Sequence, residues 1–181
     1  MKKLLLLFLV IVAMSACSSK SNVEKSDASA TLDTAALVQR VTDIYDVAFG
    51  QYNDKEAHNS AEIGNSLDSM FCTADWNSCV KRVNAFDKKE DSGMGFFEAD
   101  YWIMGQDWND LKTTDIRVTA MTDSTATVEF NLHNCGNVSA VRLEMLLENG
   151  AWNIDNFIDV TNDFDWKAGM KEHMNENNYW K

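Results

Sequence analysis

The sequence predicts an α+β fold, in which N-terminal helices pack on a four-stranded antiparallel sheet and a C-terminal helix closes the domain. Two observations support this prediction. Apolar residues recur at helical spacing before Lys112, and their period changes to two after it. A chain that places its helices first and its strands later favours an α+β fold over a doubly wound sheet.

The first predicted helix runs from Leu32 to Phe49. Asp33 or Thr34 can cap its start, and Gly50 can end it. Its apolar side chains recur every three or four positions, as in an amphipathic helix. They are Leu37, Val38, Val41, Ile44, Tyr45 and Ala48.

The next segment, Gln51–Ser66, is polar and poorly periodic, so we expect a loop with a helical turn near Ala57. A second helix is predicted to start at Thr73 or Asp75 and to end near Lys89. Its buried side chains should be Trp76, Val80, Val83 and Phe86.

Four strands are predicted after Lys112, because apolar and polar residues alternate between short turns. The turns are expected at Asp123-Ser124, at residues 134–137 and at Asn149-Gly150, since Asn-Gly readily adopts positive φ. The tail is predicted to be a helix from Asp163 to Tyr179. The strand residues expected to share an apolar face are Ile116, Val118 and Ala120, then Ala126, Val128, Phe130 and Leu132, then Val141, Leu143, Met145 and Leu147, and finally Trp152, Ile154, Asn156 and Ile158.

The N-terminus has the pattern of a secretory signal peptide, residues 1–16. Lys2 and Lys3 precede an apolar run from Leu4 to Ala13, and small residues follow it. The run is too short to span a bilayer, which needs about 20 apolar residues. Residues 17–30 are polar and predict a flexible tether, which leaves 31–181 as a single α+β domain.

Cys17 follows Ser15-Ala16 directly, and this arrangement resembles the lipobox of bacterial lipoproteins. The resemblance implies that Cys17 is lipidated and that the chain is anchored to a membrane of the cell envelope, with the outer membrane as the favoured one. The domain would then lie in the periplasm or at the cell surface. An ordinary secretory signal, with Cys17 placed by chance, is the alternative.

The chain is acidic, with a formal net charge of -12. Loss of Lys2 and Lys3 with the signal peptide would make the charge -14. Such a domain repels the phosphates of nucleic acids and anionic lipid headgroups, so nucleic acid is not an expected partner.

The element order and two motifs resemble known families. The last hairpin of the predicted sheet reads Glu-Asn-Gly-Ala-Trp-Asn-Ile-Asp-Asn over residues 148–156. Together with the helices that precede the sheet, it resembles the nuclear transport factor 2-like (cystatin-like) fold, which implies a curved, cone-like sheet. The segment Asp100–Asp107, Asp-Tyr-Trp-Ile-Met-Gly-Gln-Asp, resembles the segment before the sheet in bacterial lipoproteins of the domain-of-unknown-function 3828 family. The resemblance covers Leu32 to the C-terminus and implies a fold and an envelope location, without implying a reaction.

Export permits disulfides, so the cysteines beyond Cys17 are candidates for pairing. Cys72 and Cys79 on one helix would lie about 10 Å apart along its axis, beyond the roughly 7 Å that a disulfide allows. A helix that begins after Cys72, capped by Thr73, would let the two cysteines pair. A bridge from Cys135 to either, or three free thiols, are the alternatives.

No cysteine or histidine spacing typical of zinc sites is present, so neither a metal site nor a cofactor is expected. The candidate pocket is the aromatic segment before the sheet, because aromatic walls with a few polar groups suit small ligands. The alternative is that this segment enters the core and its polar groups bond to the backbone. The candidate pocket residues are Asp100, Tyr101, Trp102, Gln106, Asp107 and Trp108.

Two classes of function follow. In the first, the domain is a non-catalytic binding or interaction module whose partner is a protein, a peptide or a small molecule of the envelope. In the second, it is an enzyme that resembles ketosteroid isomerase and acts on a small apolar substrate through a buried carboxylate. Asp100, Asp107, Asp155 and His133 are the residues that could serve such an enzyme.

Overall fold

The structure, a computed structural model, describes residues 33–54, 59–90 and 95–176. The predicted signal peptide, Cys17 and the tether lie outside these residues, as do Ala57 of the predicted helical turn and Tyr179 at the end of the predicted C-terminal helix. Within the described part of the chain, no helix is both long and apolar enough to cross a bilayer.

Helices come before and after an antiparallel sheet, so the α+β class is confirmed. The described residues form five strands that lie side by side in chain order, each antiparallel to its neighbour. The predicted count of four strands is therefore wrong, because the sheet has a fifth, two-residue strand at its edge. The elements are α1 (Thr34–Tyr52), α2 (Ser60–Phe71), α3 (Ala74–Glu90), β1 (Lys112–Met121), β2 (Thr125–Asn134), β3 (Asn137–Glu148), β4 (Ala151–Asp159), β5 (Phe164–Asp165) and α4 (Trp166–Glu176).

Helix α1 starts as predicted and ends later than predicted. The Asp33 carboxylate accepts the Ala36 N–H at 2.9 Å, which caps the first turn. Gly50 does not end the helix, because the chain remains helical to Tyr52 and Asn53 forms the C-cap. Tyr52 is buried and packs on Trp108, so tertiary contact extends the helix past the glycine.

Helix α2 lies mostly where a loop was expected. The Asn59 carboxamide accepts the Ala61 N–H at 2.9 Å and caps the helix. Only Ile63, Gly64, Leu67 and Asp68 are buried, so the apolar stripe is very narrow. A stripe that includes a glycine and an aspartate has little helical signature, and this is why the sequence did not reveal it.

Helix α3 begins where predicted, because the Thr73 hydroxyl accepts the Trp76 N–H at 3.1 Å. The four predicted core side chains of this helix are all buried: Trp76, Val80, Val83 and Phe86.

The sheet follows the predicted alternation in its centre. The inward residues of β2 are buried, and so are Val141, Leu143 and Met145 of β3. Leu147 is exposed, which the prediction had wrong, because it lies at the end of β3 next to the Asn149-Gly150 turn. The two turn residues have φ of 54° and 80°, which confirms the predicted hairpin.

Strand β4 changes face along its length. Met145 pairs with Ile154 and Glu144 with Asn156, so Asp155 is an extra residue in this strand. Beyond the bulge Phe157 is buried, and Ile158, which was expected to face the core, is half-buried on the other side.

Helix α4 covers the end of the sheet. Trp166, Met170 and Met174 are buried as predicted, whereas Phe164 forms part of β5 and is exposed. Large side chains fill the space between helices and sheet. The fully buried ones include Tyr45, Tyr52, Trp76, Trp102, Phe130 and Phe157.

Candidate functional site

The segment between α3 and β1 is held by a short loop from Asp100 to Gly105. The Asp100 N–H donates to the Gly105 carbonyl at 2.8 Å, and the Gly105 N–H donates back at 3.2 Å. Met104 takes a φ of 48° to close the loop. One carboxylate oxygen of Asp100, Oδ1, accepts the Trp102 N–H at 2.9 Å. These bonds direct Tyr101 and Trp102 into the protein, where both are buried.

Asp68 is a carboxylate in the core, 2 % exposed, on the inner face of α2. Its Oδ2 accepts the Tyr101 hydroxyl at 2.5 Å and the Trp76 indole N–H at 3.1 Å. Its Oδ1 accepts the Trp102 indole N–H at 2.9 Å, with the Cys72 thiol at 3.6 Å. One side chain thus satisfies four buried donors that come from α2, α3 and the aromatic segment.

All four donors are neutral, so none of them offsets the burial of Asp68 with a positive charge. Burial raises the pKa of Asp68 above its ordinary value, although the hydrogen bonds from Tyr101, Trp102 and Trp76 act in the opposite direction. Burial also raises the pKa of the Cys72 thiol and of the Tyr101 hydroxyl, so both stay protonated as donors.

Asp100 is the second carboxylate of this region. Its Oδ2 accepts the Tyr52 hydroxyl at 2.5 Å, which ties the aromatic segment to the end of α1. Burial raises the pKa of Asp100 to about 6, against the lowering effect of the bonds from Tyr52 and Trp102, and the nearby Asp68 raises it further. Asp100 therefore ionises much closer to neutral pH than a solvated aspartate.

A cavity of about 380 Å³ opens beside Asp100, and we call it the α2 cavity. Its volume lies in the range of roughly 300–1,000 Å³ that is common for small-molecule sites. Helix α2, helix α3 and the aromatic segment form its walls. The lining residues are Ser60, Ala61, Gly64, Asn65, Val80, Asn84, Phe97, Glu98, Ala99, Asp100, Tyr101, Gly105 and Gln106.

A second cavity of about 300 Å³ adjoins the first through Gly105 and Gln106. Asp107 and the turn between β2 and β3, including the exposed Cys135, line it.

The six predicted pocket residues divide into two groups. Asp100, Tyr101 and Gln106 line the α2 cavity. Trp102, Asp107 and Trp108 do not, although Asp107 borders the second cavity.

Much of the segment enters the core, as the alternative interpretation expected. Trp102 is fully buried, and the Trp108 indole N–H donates to the Tyr52 carbonyl at 2.6 Å. The Gln106 carboxamide donates to the Glu98 carbonyl at 2.9 Å. Aromatic and polar residues of this kind suit either a cavity wall or a core, so the sequence leaves both roles open. The direction of each side chain in the fold decides which role it has.

The other three residues considered for catalysis do not line the α2 cavity. Asp155 accepts the Thr73 hydroxyl at 2.7 Å and pairs with the Lys167 ammonium at 2.8 Å. His133 lies 3.1 Å from the Thr114 hydroxyl on the neighbouring strand, and Asp107 is exposed. Of the four candidates, only Asp100 lines this cavity.

The proposed disulfide between Cys72 and Cys79 is absent, and both are buried free thiols. Cys72 ends α2 in an extended conformation with its sulfur against Asp68, whereas the Cys79 sulfur accepts from Arg82 within α3 at 3.8 Å. The two thiols therefore have different partners. Cys135 is also free, and no group of three His, Cys, Asp or Glu among the described residues could hold a metal ion.

Sequence reasoning missed Asp68 as a buried site residue, and also Asn65 and Asn84. An aspartate in a polar segment gives no sign of burial, because four donors from distant positions meet it only in the fold. The one available signal was the capping residue Asn59 followed by Ile63, Leu67 and Phe71 at intervals of four, which together indicate a helix.

Comparisons with protein-family models, with curated proteins and with solved structures find no match to this chain. The resemblance to the nuclear transport factor 2-like fold and to the lipoprotein family of unknown function therefore stays a prediction.

Proposed function

We propose that this chain is a lipoprotein of the cell envelope, anchored to a membrane through Cys17, whose cone-like domain is a non-catalytic module that binds a small molecule. The observation that carries the proposal is the α2 cavity of about 380 Å³, which lies outside a core filled by aromatic side chains. Ligand sites of this size usually exist before the ligand binds.

The cavity walls favour a preformed site. Two of its three walls are helices, and the third is the segment that Asp100 and Gly105 close by paired backbone hydrogen bonds. Tyr101 and Trp102 fix this third wall to the core through Asp68. Little ordering is then needed on binding, and this lowers the free-energy cost of association.

The hydrogen bonds of Asp68 and Asp100 favour binding over catalysis. Asp68 is enclosed by donors that hold both of its oxygens. Asp100 uses one oxygen for Tyr52 and the other for the Trp102 N–H. Carboxylates in such networks position the walls of a site, and the hydrogen bonds that Asp100 accepts lower its pKa and so make it a weaker base.

Native mass spectrometry of the full chain, released gently from its own envelope, tests the proposal. We expect a retained small molecule with the wild type and its loss with Ala61→Trp, which places a large side chain in the cavity wall. Ala36→Trp is the matched control, because Ala36 is also an exposed alanine in the first turn of a helix and does not line the cavity. Equal retention by both variants would contradict binding in the α2 cavity.

The anchor is tested separately. We expect Cys17→Ala to move the protein from the membrane fraction to the soluble fraction and to remove the acyl mass from its N-terminal peptide. Cys135→Ala, which changes an exposed thiol within the fold, should leave both unchanged. A wild-type Cys17 without acyl chains would disprove lipidation.

A second candidate function, an enzyme that uses Asp100 as a general base, is favoured by one observation. Asp100 lines the cavity and has a pKa of about 6, which is a suitable value for proton transfer near neutral pH. If the domain is an enzyme, turnover of the retained molecule should fall at least about a hundredfold in Asp100→Asn, with binding retained. Absence of turnover in the wild type would contradict the enzyme and leave the binding module as the proposed function.

A further inference from the structure

We propose that the α2 cavity binds a neutral, polyhydroxylated ligand, a sugar unit, either as a free saccharide or as part of a larger glycan. This inference rests on the proposed function, since it names the ligand class of the same cavity. Three properties of the wall support it: its charge, its mixture of hydrogen-bond donors and acceptors, and an aromatic side chain among them.

The charge of the wall disfavours anions. Glu98 and Asp100 both line the cavity, and none of the described lining residues is basic. A phosphate or carboxylate ligand would meet two groups of like charge without a cation to offset them. The strongly acidic composition of the chain adds to this repulsion.

The hydrogen-bonding groups disfavour a simple cation. Asn65 and Asn84 line the cavity from α2 and α3, and neither side chain has a hydrogen-bond partner among the described residues. Each carboxamide offers both donors and an acceptor. An ammonium group, which only donates, would leave the amide N–H groups of the wall without partners. A hydroxyl group donates and accepts, so a ligand with several hydroxyls satisfies both kinds of group.

Gln106 adds an oriented acceptor to this wall. Its Nε2 donates to the Glu98 carbonyl at 2.9 Å, which holds the carboxamide in place and leaves its oxygen as an acceptor. Three carboxamides from three segments therefore surround one cavity, with the Glu98 carboxylate beside them.

Phe97 supplies an apolar surface among these polar groups. It lines the cavity, and its ring packs against the Trp166 ring at 6.4 Å and against the Phe96 ring at 5.1 Å. These contacts hold the ring in one orientation. The C–H faces of a sugar ring pack on aromatic surfaces, while its hydroxyls at the rim reach the surrounding amides.

The test is direct binding by the full lipidated chain, kept in a detergent without a sugar headgroup so that the detergent does not compete. The probes are free glucose, galactose, mannose and N-acetylglucosamine, and an array of immobilised neutral oligosaccharides. Spermidine and a lysine-rich peptide represent cationic ligands. We expect binding to at least one neutral saccharide, and the free sugars and the array distinguish the two sources.

Variants at exposed helix positions separate recognition from folding. Asn84→Leu and Asn65→Leu should each weaken saccharide binding by about tenfold or more, since each removes hydrogen bonds to hydroxyls. Ser78→Ala, an exposed change on α3 away from the cavity, should have no effect. Thermal unfolding of all three should stay close to the wild type.

Glu98→Gln distinguishes the ligand classes. A carboxamide can still bond to hydroxyls, so saccharide affinity should change by less than about threefold, whereas a cationic ligand should lose about tenfold or more. Binding of spermidine or of the peptide, lost in Glu98→Gln, would overturn the sugar class and leave a ligand-binding module in place. Absence of binding to every probe, with no retained molecule in wild type or Ala61→Trp, would overturn both proposals.

Discussion

Two carboxylates, one in the core and one on the outer face of the sheet, show how burial and the charge of the partner together shift a pKa. Asp68 lies in the core and accepts hydrogen bonds from Tyr101 and two indoles, all neutral donors. Glu129 lies on the outer face of β2 and pairs with Arg117 at 2.7 Å and Arg142 at 2.9 Å. Both carboxylates have their oxygens satisfied, yet their pKa values move in opposite directions.

The difference follows from desolvation and partner charge. Burial raises the pKa of Asp68, and its neutral donors offset only part of that effect. The hydrogen bond and charge of Arg142, helped by Arg117, lower the pKa of Glu129, which remains close to water. The neutral donors favour ionisation of Asp68 but do not outweigh its burial. The two arginines favour ionisation of Glu129 and do outweigh the effect of its burial. We therefore expect the buried carboxylate to contribute more to stability than the half-buried one on the outer face.

The largest expected effect comes from removing the buried acceptor. Asp68→Ala would leave the indole N–H groups of Trp76 and Trp102 and the Tyr101 hydroxyl without a partner in the core. Each such group costs about 1–3 kcal/mol, so we expect a loss of about 3 kcal/mol or more in the free energy of unfolding. Urea denaturation measures it.

The control for this experiment is Asp46→Ala, at an exposed position of α1, which should change stability by less than about 0.5 kcal/mol. The loss in the free energy of unfolding for Asp68→Asn should lie between those of Asp68→Ala and Asp46→Ala. The asparagine keeps one acceptor oxygen but places N–H groups toward other donors. A loss below about 1 kcal/mol for Asp68→Ala would show that the donors find water instead.

A smaller effect is expected from the titration of Asp100. Its pKa is raised to about 6 in the folded protein, so the protonated form is favoured by folding. The stabilisation is complete below the ordinary pKa and is lost as pH rises through the folded value. Between about pH 7 and pH 5 the wild type should therefore gain about 1 kcal/mol relative to Asp100→Asn.

Comparison of wild type with Asp100→Asn at each pH cancels the histidines and other groups that titrate in both proteins. Denaturation curves at a series of pH values give the difference. A constant difference across this range would mean that Asp100 ionises in the fold as it does in water.

The smallest effect is expected at the outer face. Glu129→Gln removes the charge that pairs with Arg117 and Arg142, but both arginines are well exposed. Exposed ion pairs contribute roughly 0–1 kcal/mol, so we expect a change of less than about 0.5 kcal/mol that shrinks further in high salt. A loss of stability comparable to that of Asp68→Ala would contradict the distinction between the buried carboxylate and the one on the outer face.

Local pattern predicted the regular parts of the fold well. The first helix, α3 and the hairpins of the sheet depend on capping side chains, on apolar spacing and on the positive φ of Asn149 and Gly150, all of which are local properties. The prediction was wrong where tertiary contact overrides the local pattern. Helix α2 buries a glycine and an aspartate, and the Asp155 bulge moves Phe157 to the core.

For the candidate site, the sequence identified the aromatic segment and three of the thirteen residues that line the cavity. Asp100, Tyr101 and Gln106 line the cavity as expected, but Asn65 and Asn84 come from helices far away along the chain. A carboxamide on an exposed helical face has no local feature that marks it as part of a site. Its significance depends on which other groups lie across the cavity.

The sequence by itself thus determined the α+β class, the placement of helices before an antiparallel run of four strands, and the aromatic character of the segment before the sheet. These depend on residue spacing and on backbone preferences, which act over a few positions. Only the tertiary structure decided that Asp68 is buried and that a cavity opens beside Asp100. It also decided that the Cys72 sulfur contacts Asp68 and does not pair with Cys79. Those features arise from packing between residues distant in the chain, where desolvation and the choice of hydrogen-bond partner depend on the whole fold.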